Sequence, residues 1–103
     1  MQDSDIYRIV RNAIRTALDE CRIGEYKPEA ILVRYNQKLA NLKSLISHDK
    51  NKNRKVQSTQ VQIITRAACS VKNRTYENIS AVLQDKLRSI PSAIDLYMKE
   101  KKK

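Results

Sequence analysis

Apolar residues recur every three or four positions along most of the chain, which is the spacing of amphipathic helices. Ser4 can cap the first of these helices. Its apolar residues are Ile6, Ile9, Val10, Ala13, Ile14, Ala17, Leu18 and Cys21. Gly24 follows the last turn, where a residue that adopts left-handed backbone geometry is favoured. The pattern therefore predicts a first helix over about residues 5–22.

A second helix is predicted from Pro28 to about residue 47, because proline is tolerated at the first position of a helix. Its apolar residues are Leu32, Tyr35, Leu39, Leu42 and Ile46, with Ile31 and Leu45 broadening the stripe. The link to the first helix is short. We therefore expect the two helices to form an antiparallel hairpin.

Residues 47–57 contain almost no apolar side chain, so burial cannot offset the entropy that they would lose on ordering. A mobile basic loop is therefore expected near 47–57. Thr59 and Gln62 then match a capping box, and helical spacing predicts a third helix over about 59–72. The β-branched residues between 61 and 65 leave a strand as the alternative.

Thr75 can cap a fourth helix, which should end near Ile90 because Pro91 disfavours helical geometry at the residue before it. A short fifth helix is expected to follow. Its apolar residues are Ile94, Tyr97 and Met98. Residues 99–103 are predicted to be a frayed basic tail.

These elements predict an all-α fold, a small bundle of four to five helices in a single domain over residues 1–98. The composition agrees, because one glycine and two prolines in 103 residues leave little of the turn chemistry that β-hairpins need. Cys21 and Cys69 fall among apolar positions and form no Cys-x-x-Cys pair, so we expect buried, reduced thiols and no metal site.

The sequence shows no membrane span, because no run approaches about 18 consecutive apolar residues. The first five residues carry two acids and no base, whereas a signal peptide would be basic and then apolar. We therefore expect an intracellular protein without a membrane partner, located in the cytoplasm with the nucleus also open.

The net charge of +10 is concentrated in the middle of the chain. Residues 1–29 hold five basic and six acidic side chains and residues 77–103 hold six and four, whereas residues 30–76 hold ten basic side chains against Asp49 alone. Such a concentration of like charge is costly unless a polyanion binds it, so it favours a polyanionic partner over a merely solvated face. The predicted nucleic-acid-binding residues are Arg34, Lys38, Lys43, Lys50, Lys52, Arg54, Lys55, Arg66, Lys72 and Arg74.

A second, weaker basic stripe lies on the first helix. At 100° per residue, four arginines fall within about 60° of one another, opposite the apolar stripe. These secondary candidates for nucleic-acid binding are Arg8, Arg11, Arg15 and Arg22. The alternative is an ordinary polar surface, in which Arg15 pairs with Asp19 one turn later.

A duplex fits the sequence better than a single strand. The only aromatic residues are five tyrosines, and four of them lie beside apolar stripes, so a platform on which bases could stack is lacking. Readout of the backbone by shape, as is common for double-stranded RNA, is therefore favoured, with RNA and DNA both open. The alternative mode is a helix-turn-helix over residues 64–83, with Asn73 at the turn.

We expect no enzymatic activity and no cofactor. The single histidine, His48, lies in the predicted loop, and the chain has no glycine-rich phosphate loop. The sequence therefore predicts a non-enzymatic protein that contacts the phosphate backbone of a duplex through its basic central region. A homodimer would add to a core that lacks Phe and Trp. The alternative function is a protein-interaction module, an inhibitor or adaptor, that docks on an acidic partner protein.

Overall fold

A computed structural model describes residues 2–91, which hold four α-helices. The helices are α1 (Asp3–Ile23), α2 (Pro28–Ser47), α3 (Arg54–Ala67) and α4 (Tyr76–Ser89). The all-α prediction is confirmed, and residues 61–65 are helical instead of forming a strand. The predicted fifth helix and the tail at 99–103 lie outside the described residues.

The core forms where the apolar stripes of the four helices meet. α1 packs most extensively on α4 and α2 on α3, while α1 also contacts α2 and α3. The predicted pairing of α1 with α2 is therefore only one of several helix–helix interfaces within a compact bundle of 42 × 31 × 20 Å. Ile6, Val10 and Ile14 are fully buried, but Leu45, which was predicted to broaden the stripe of α2, is 67% exposed.

α1 begins slightly earlier than predicted, and Ser4 is not its cap. The carboxylate of Asp5 accepts a hydrogen bond of 3.0 Å from the backbone N–H of Gln2, which is the N-cap residue. At the other end Gly24 has φ 77°, and its N–H donates to the Glu20 carbonyl at 3.0 Å, as the sequence predicted.

The predicted loop at 47–57 is shorter than expected, because its last four residues form the first turn of α3. The side chain of Asn53 caps this turn by accepting a hydrogen bond of 2.8 Å from the backbone N–H two residues later. The Gln57 amide donates to the carbonyls of Ile46 at 3.0 Å and Asp49 at 2.6 Å. These hydrogen bonds connect the first turn of α3 to the end of α2 and to the loop.

α3 also ends earlier than the predicted 59–72, because side chains of α2 take over its backbone groups. Asn36 accepts from the N–H of Cys69 and donates to the carbonyl of Cys69, both at 2.9 Å. The hydroxyl of Tyr35 donates to the Ala67 carbonyl at 2.8 Å. The chain therefore leaves the helix after Ala67 without a glycine or proline to break it.

One further prediction and one alternative for this region are wrong. Thr59 does not cap a helix but lies within α3, where its hydroxyl donates to the Lys55 carbonyl at 3.0 Å. The helix-turn-helix over 64–83 is not formed, since residues 68–75 make a connection longer than the three- or four-residue turn of that motif.

The boundaries of α4 agree with the prediction. Thr75 is its N-cap, and the Thr75 hydroxyl accepts a hydrogen bond of 3.1 Å from the backbone N–H of Asn78. The helix ends at Ser89, and Ile90 is extended immediately before Pro91. Among residues 2–91, no helix combines the length and apolar character needed to cross a membrane.

Candidate polyanion-binding surface

Most of the ten predicted binding residues are exposed and unpaired. Within residues 2–91, seven of them make no ion pair with an acidic side chain. These seven are Lys38, Lys43, Lys50, Arg54, Lys55, Arg66 and Lys72. Their charge remains available to an external anion.

Arg34 and Arg74 each form an ion pair with an acidic side chain of the protein. Arg34 pairs with Glu20 of α1 at 2.7 Å, and its guanidinium lies 4.6 Å from the centre of the Tyr26 ring. Arg74 pairs with Glu29 of α2 at 2.6 Å. Both arginine side chains remain about half exposed, so each is a weaker candidate than the unpaired cations.

Lys52 is held by a polar network that the sequence analysis missed. Its ammonium group donates to the Gln60 side chain at 2.6 Å, and Gln60 donates to the Asp3 carboxylate at 2.9 Å. Gln60 is only 1% exposed, so it is a buried polar group whose hydrogen bonds are satisfied. The network ties the loop after α2 to the start of α1.

Arg11, a secondary candidate, does not belong to an outward binding face. Its guanidinium donates to the carbonyls of Leu87 at 3.1 Å and Ile90 at 2.7 Å, and thus satisfies backbone groups at the end of α4. The prediction of a four-arginine stripe is wrong at this position, because α4 packs against the flank of α1 that carries Arg11.

The other arginines of α1 remain exposed. Arg8 lies 3.6 Å from Asp5, and Arg22 lies 3.6 Å from Asp19. The Arg15–Asp19 pair of the alternative interpretation is not formed, and Arg15 makes no ion pair within the described part of the chain. Exposed pairs of this kind contribute little to stability.

Three basic side chains line a depression where α2 passes into α3. This loop cleft has a volume of about 380 Å³ and is lined by Ser47, His48, Asp49, Lys50, Lys52, Arg54 and Gln57. Asp49 is its only acid, and one carboxylate oxygen of Asp49 accepts from the N–H of Asn51. The first turn of α3 contains no acid, so the positive end of its dipole adds to the cationic character of the cleft.

A second depression lies at the other end of α2, and we call it the linker cleft. It has a volume of about 560 Å³ and is lined by Lys27, Pro28, Glu29, Val71, Lys72 and Arg74. It again combines three basic side chains with one acid. Lys27 was not predicted as a site residue, because it falls in the segment at 1–29 whose net charge is close to zero.

The basic residues of α2 lie on two different edges of the helix. Arg34 and Lys38 are about 40° apart on the edge that meets α1, since Arg34 contacts Glu20. Lys43 is about 140° from Lys38 and follows Asn36 by two turns, on the edge that meets the chain after α3. The single basic region suggested by the sequence is therefore divided in space.

On α3, Lys55 and Arg66 share the solvent-facing side. They are eleven residues apart, which places them about 20° from each other around the helix. Arg66 also lines a more enclosed cavity of about 230 Å³ with Tyr7, Ile63 and Lys86. The Lys86 ammonium donates to the Arg66 carbonyl at 2.8 Å, so Lys86 adds a positive charge that was not predicted here.

The chemically reactive side chains have structural partners or are buried. His48 Nδ1 lies 2.7 Å from the Ser44 carbonyl at the end of α2. Cys21 and Cys69 are buried and free, as expected, and burial raises the pKa of both thiols. Within residues 2–91, no three His, Cys, Asp or Glu side chains are close enough together to hold a metal ion.

Comparison with known proteins finds no family model, no curated protein and no solved structure that matches this chain.

Proposed function

We propose that this protein is a non-enzymatic nucleic-acid-binding protein that contacts the phosphate backbone of a duplex, RNA or DNA, through the two clefts and the cations between them. The observation that carries the proposal is the segregation of charge. Three of the four acids of α1 and Glu29 of α2 form ion pairs with arginines of the protein, whereas the segment from residue 50 to residue 76 has no acid. Unpaired cations gathered at clefts favour a polyanion.

A duplex is favoured because the four tyrosines within residues 2–91 offer no base-stacking platform beside these cations. Tyr35 is 2% exposed, and Tyr7 and Tyr76 are half-buried. Tyr26 is more exposed, but one face of its ring is covered by Arg34. Single-strand binders need accessible aromatic faces in a basic groove, whereas backbone readout of a duplex needs only placed cations.

A protein-interaction module that docks on an acidic partner is the second candidate. It is favoured by Leu45 and Val56, which are 67% and 43% exposed and lie within three residues of the basic loop. An interface with a protein would use such apolar side chains at its centre, whereas a phosphate backbone would not. The homodimer suggested by the sequence stays a prediction.

The proposal is tested by gel-shift titration against duplex RNA, duplex DNA and single strands at several salt concentrations. Changing Lys43, Lys50 and Arg54 together to Gln should weaken duplex binding about tenfold or more and reduce the slope of log K against log[salt] by about 3. Lys52 is left intact because its ammonium is bonded to Gln60.

The matched control removes three charges away from both clefts, at Arg15, Arg22 and Arg88. Its affinity should stay within about threefold of the unmodified protein, since only long-range attraction is reduced. Circular dichroism checks that both variants remain helical. Absence of binding to every nucleic acid below about 10 μM at moderate salt, with tight binding to an acidic protein, would favour the second candidate.

A further inference from the structure

Three residues of α2, spaced seven apart, lie along one edge of the helix. An interval of seven residues is about two turns, so successive positions differ by only about 20° around the helix axis. The three residues are Glu29, Asn36 and Lys43. The edge is identified by its contacts, because Glu29 pairs with Arg74 and Asn36 holds the backbone of Cys69. The connection from α3 to α4 therefore follows this edge from its middle to the N-terminal end of α2.

The two basic clefts lie at the two ends of this edge. The linker cleft includes Glu29, and the loop cleft includes Ser47 at the last residue of α2. Glu29 and Ser47 are 18 residues apart, or about 27 Å along the helix axis. Lys43 is exposed between them and makes no ion pair within residues 2–91.

We infer that the linker cleft, Lys43 and the loop cleft form one continuous binding row, which grips phosphates about one helical turn apart on a duplex. This inference rests on the proposed function and adds a geometry to it. The unpaired cations of the row are Lys27, Lys72, Lys43, Lys50 and Arg54. Arg34 and Lys38 lie outside the row, on the edge of α2 that meets α1.

The length of the row matches the repeat of a duplex. One turn of a B-form duplex is about 34 Å, and phosphates of the same strand return to the same side after that distance. The span of about 27 Å between the ends of the helix edge is lengthened by the lysine and arginine side chains at each end. A duplex shorter than this span can occupy only one cleft at a time.

The test uses the full chain with three double variants that each remove two positive charges. Lys50→Gln with Arg54→Gln removes two positive charges at the loop cleft. Lys27→Gln with Lys72→Gln removes two positive charges at the linker cleft. Arg15→Gln with Arg88→Gln is the control off the row, because both side chains are exposed and neither lines a cleft. Circular dichroism and thermal melting confirm that each variant folds.

Each protein is titrated with RNA and DNA hairpins whose stems are 6 or 16 base pairs long. On the long stem, each end variant should bind about tenfold more weakly, and its slope of log K against log[salt] should fall by about 2. The control should change little in either quantity. The unmodified protein should bind the short stem at least about tenfold more weakly than the long stem. On the short stem, either end variant should lose at most about twofold in affinity, because the other cleft can still bind the stem.

The outcomes distinguish a failure of the proposed row from a failure of duplex binding itself. If the long stem binds well but the control loses as much as the end variants, or if the end variants lose equally on both stems, the row is wrong and backbone binding stands. If no stem binds the unmodified protein at moderate salt, both proposals fail. Different results for RNA and DNA stems with the same pattern of variants support the row and identify the preferred duplex.

Discussion

At the scale of single residues, polar side chains set the end of α3 and connect distant parts of the chain. Asn36 ends α3 by replacing its backbone hydrogen bonds, Gln60 connects Lys52 to Asp3, and Arg11 binds the carbonyls at the end of α4. Each of these side chains acts on residues distant in the sequence. Their types and local spacing do not reveal their partners.

The contact of Arg11 with α4 predicts a large effect on stability. Changing Arg11 to Gln removes the charged donor to two carbonyls, and we expect the free energy of unfolding to fall by about 2 kcal/mol. Arg15→Gln is the control, since Arg15 is exposed, and it should change stability by less than about 0.5 kcal/mol. Urea denaturation measures both. Equal effects would show that Arg11 is an ordinary surface residue.

Tyr35 predicts a loss of stability at alkaline pH. Burial raises the pKa of Tyr35 well above the ordinary value of about 10, so the folded protein keeps a proton that the unfolded chain releases. The resulting stability is fully present below about pH 10 and is lost above it, by about 1.4 kcal/mol for each pH unit. Buried Cys21 and Cys69 act in the same direction from about pH 8.5, since burial raises their pKa values too.

The measurement is urea denaturation of Tyr35→Phe between pH 7 and pH 11. At pH 7 the variant should be about 1 kcal/mol less stable, because the Ala67 carbonyl loses its hydrogen bond of 2.8 Å. Its stability should then fall less steeply with pH than that of the unmodified protein. Tyr26→Phe, at an exposed position, should follow the unmodified protein throughout. Parallel pH profiles for all three would contradict the role assigned to Tyr35.

At the scale of helices, apolar periodicity predicted the existence of all four but not the position of α3. α2 and α4 have the boundaries expected, because Pro28, Thr75 and Pro91 are local signals that act on neighbouring residues. α3 begins and ends about five residues earlier than expected. The signals that place it come from Asn53, whose capping role was overlooked, and from side chains of α2.

The position of α3 can be tested by comparing its two candidate caps. Asn53→Ala should reduce the free energy of unfolding by about 1 kcal/mol, because it removes the cap of the first turn. Thr59→Ala should be neutral or slightly stabilising, since Thr59 lies inside the helix and alanine is the better helix former. Thermal and urea denaturation measure both. A larger effect at Thr59 would support the helix start predicted from the sequence.

At the scale of the whole molecule, folding separates some cations that are close in sequence and brings together others that are far apart. The ten central cations were predicted to make one region, but the three on α2 lie on two different edges of that helix. The fold also brings Lys27, from the segment with almost no net charge, into the linker cleft beside Lys72. The proposed binding row accordingly combines two clefts with Lys43 between them.

The sequence by itself determined the all-α class, the burial of both cysteines and the number of helices in residues 2–91. Apolar spacing and local capping act over a few residues, so they can be read directly from the chain. Only the tertiary structure decided which cations are paired, where α3 ends and which basic residues share a cleft. These properties depend on contacts between residues far apart in sequence, and packing sets those contacts.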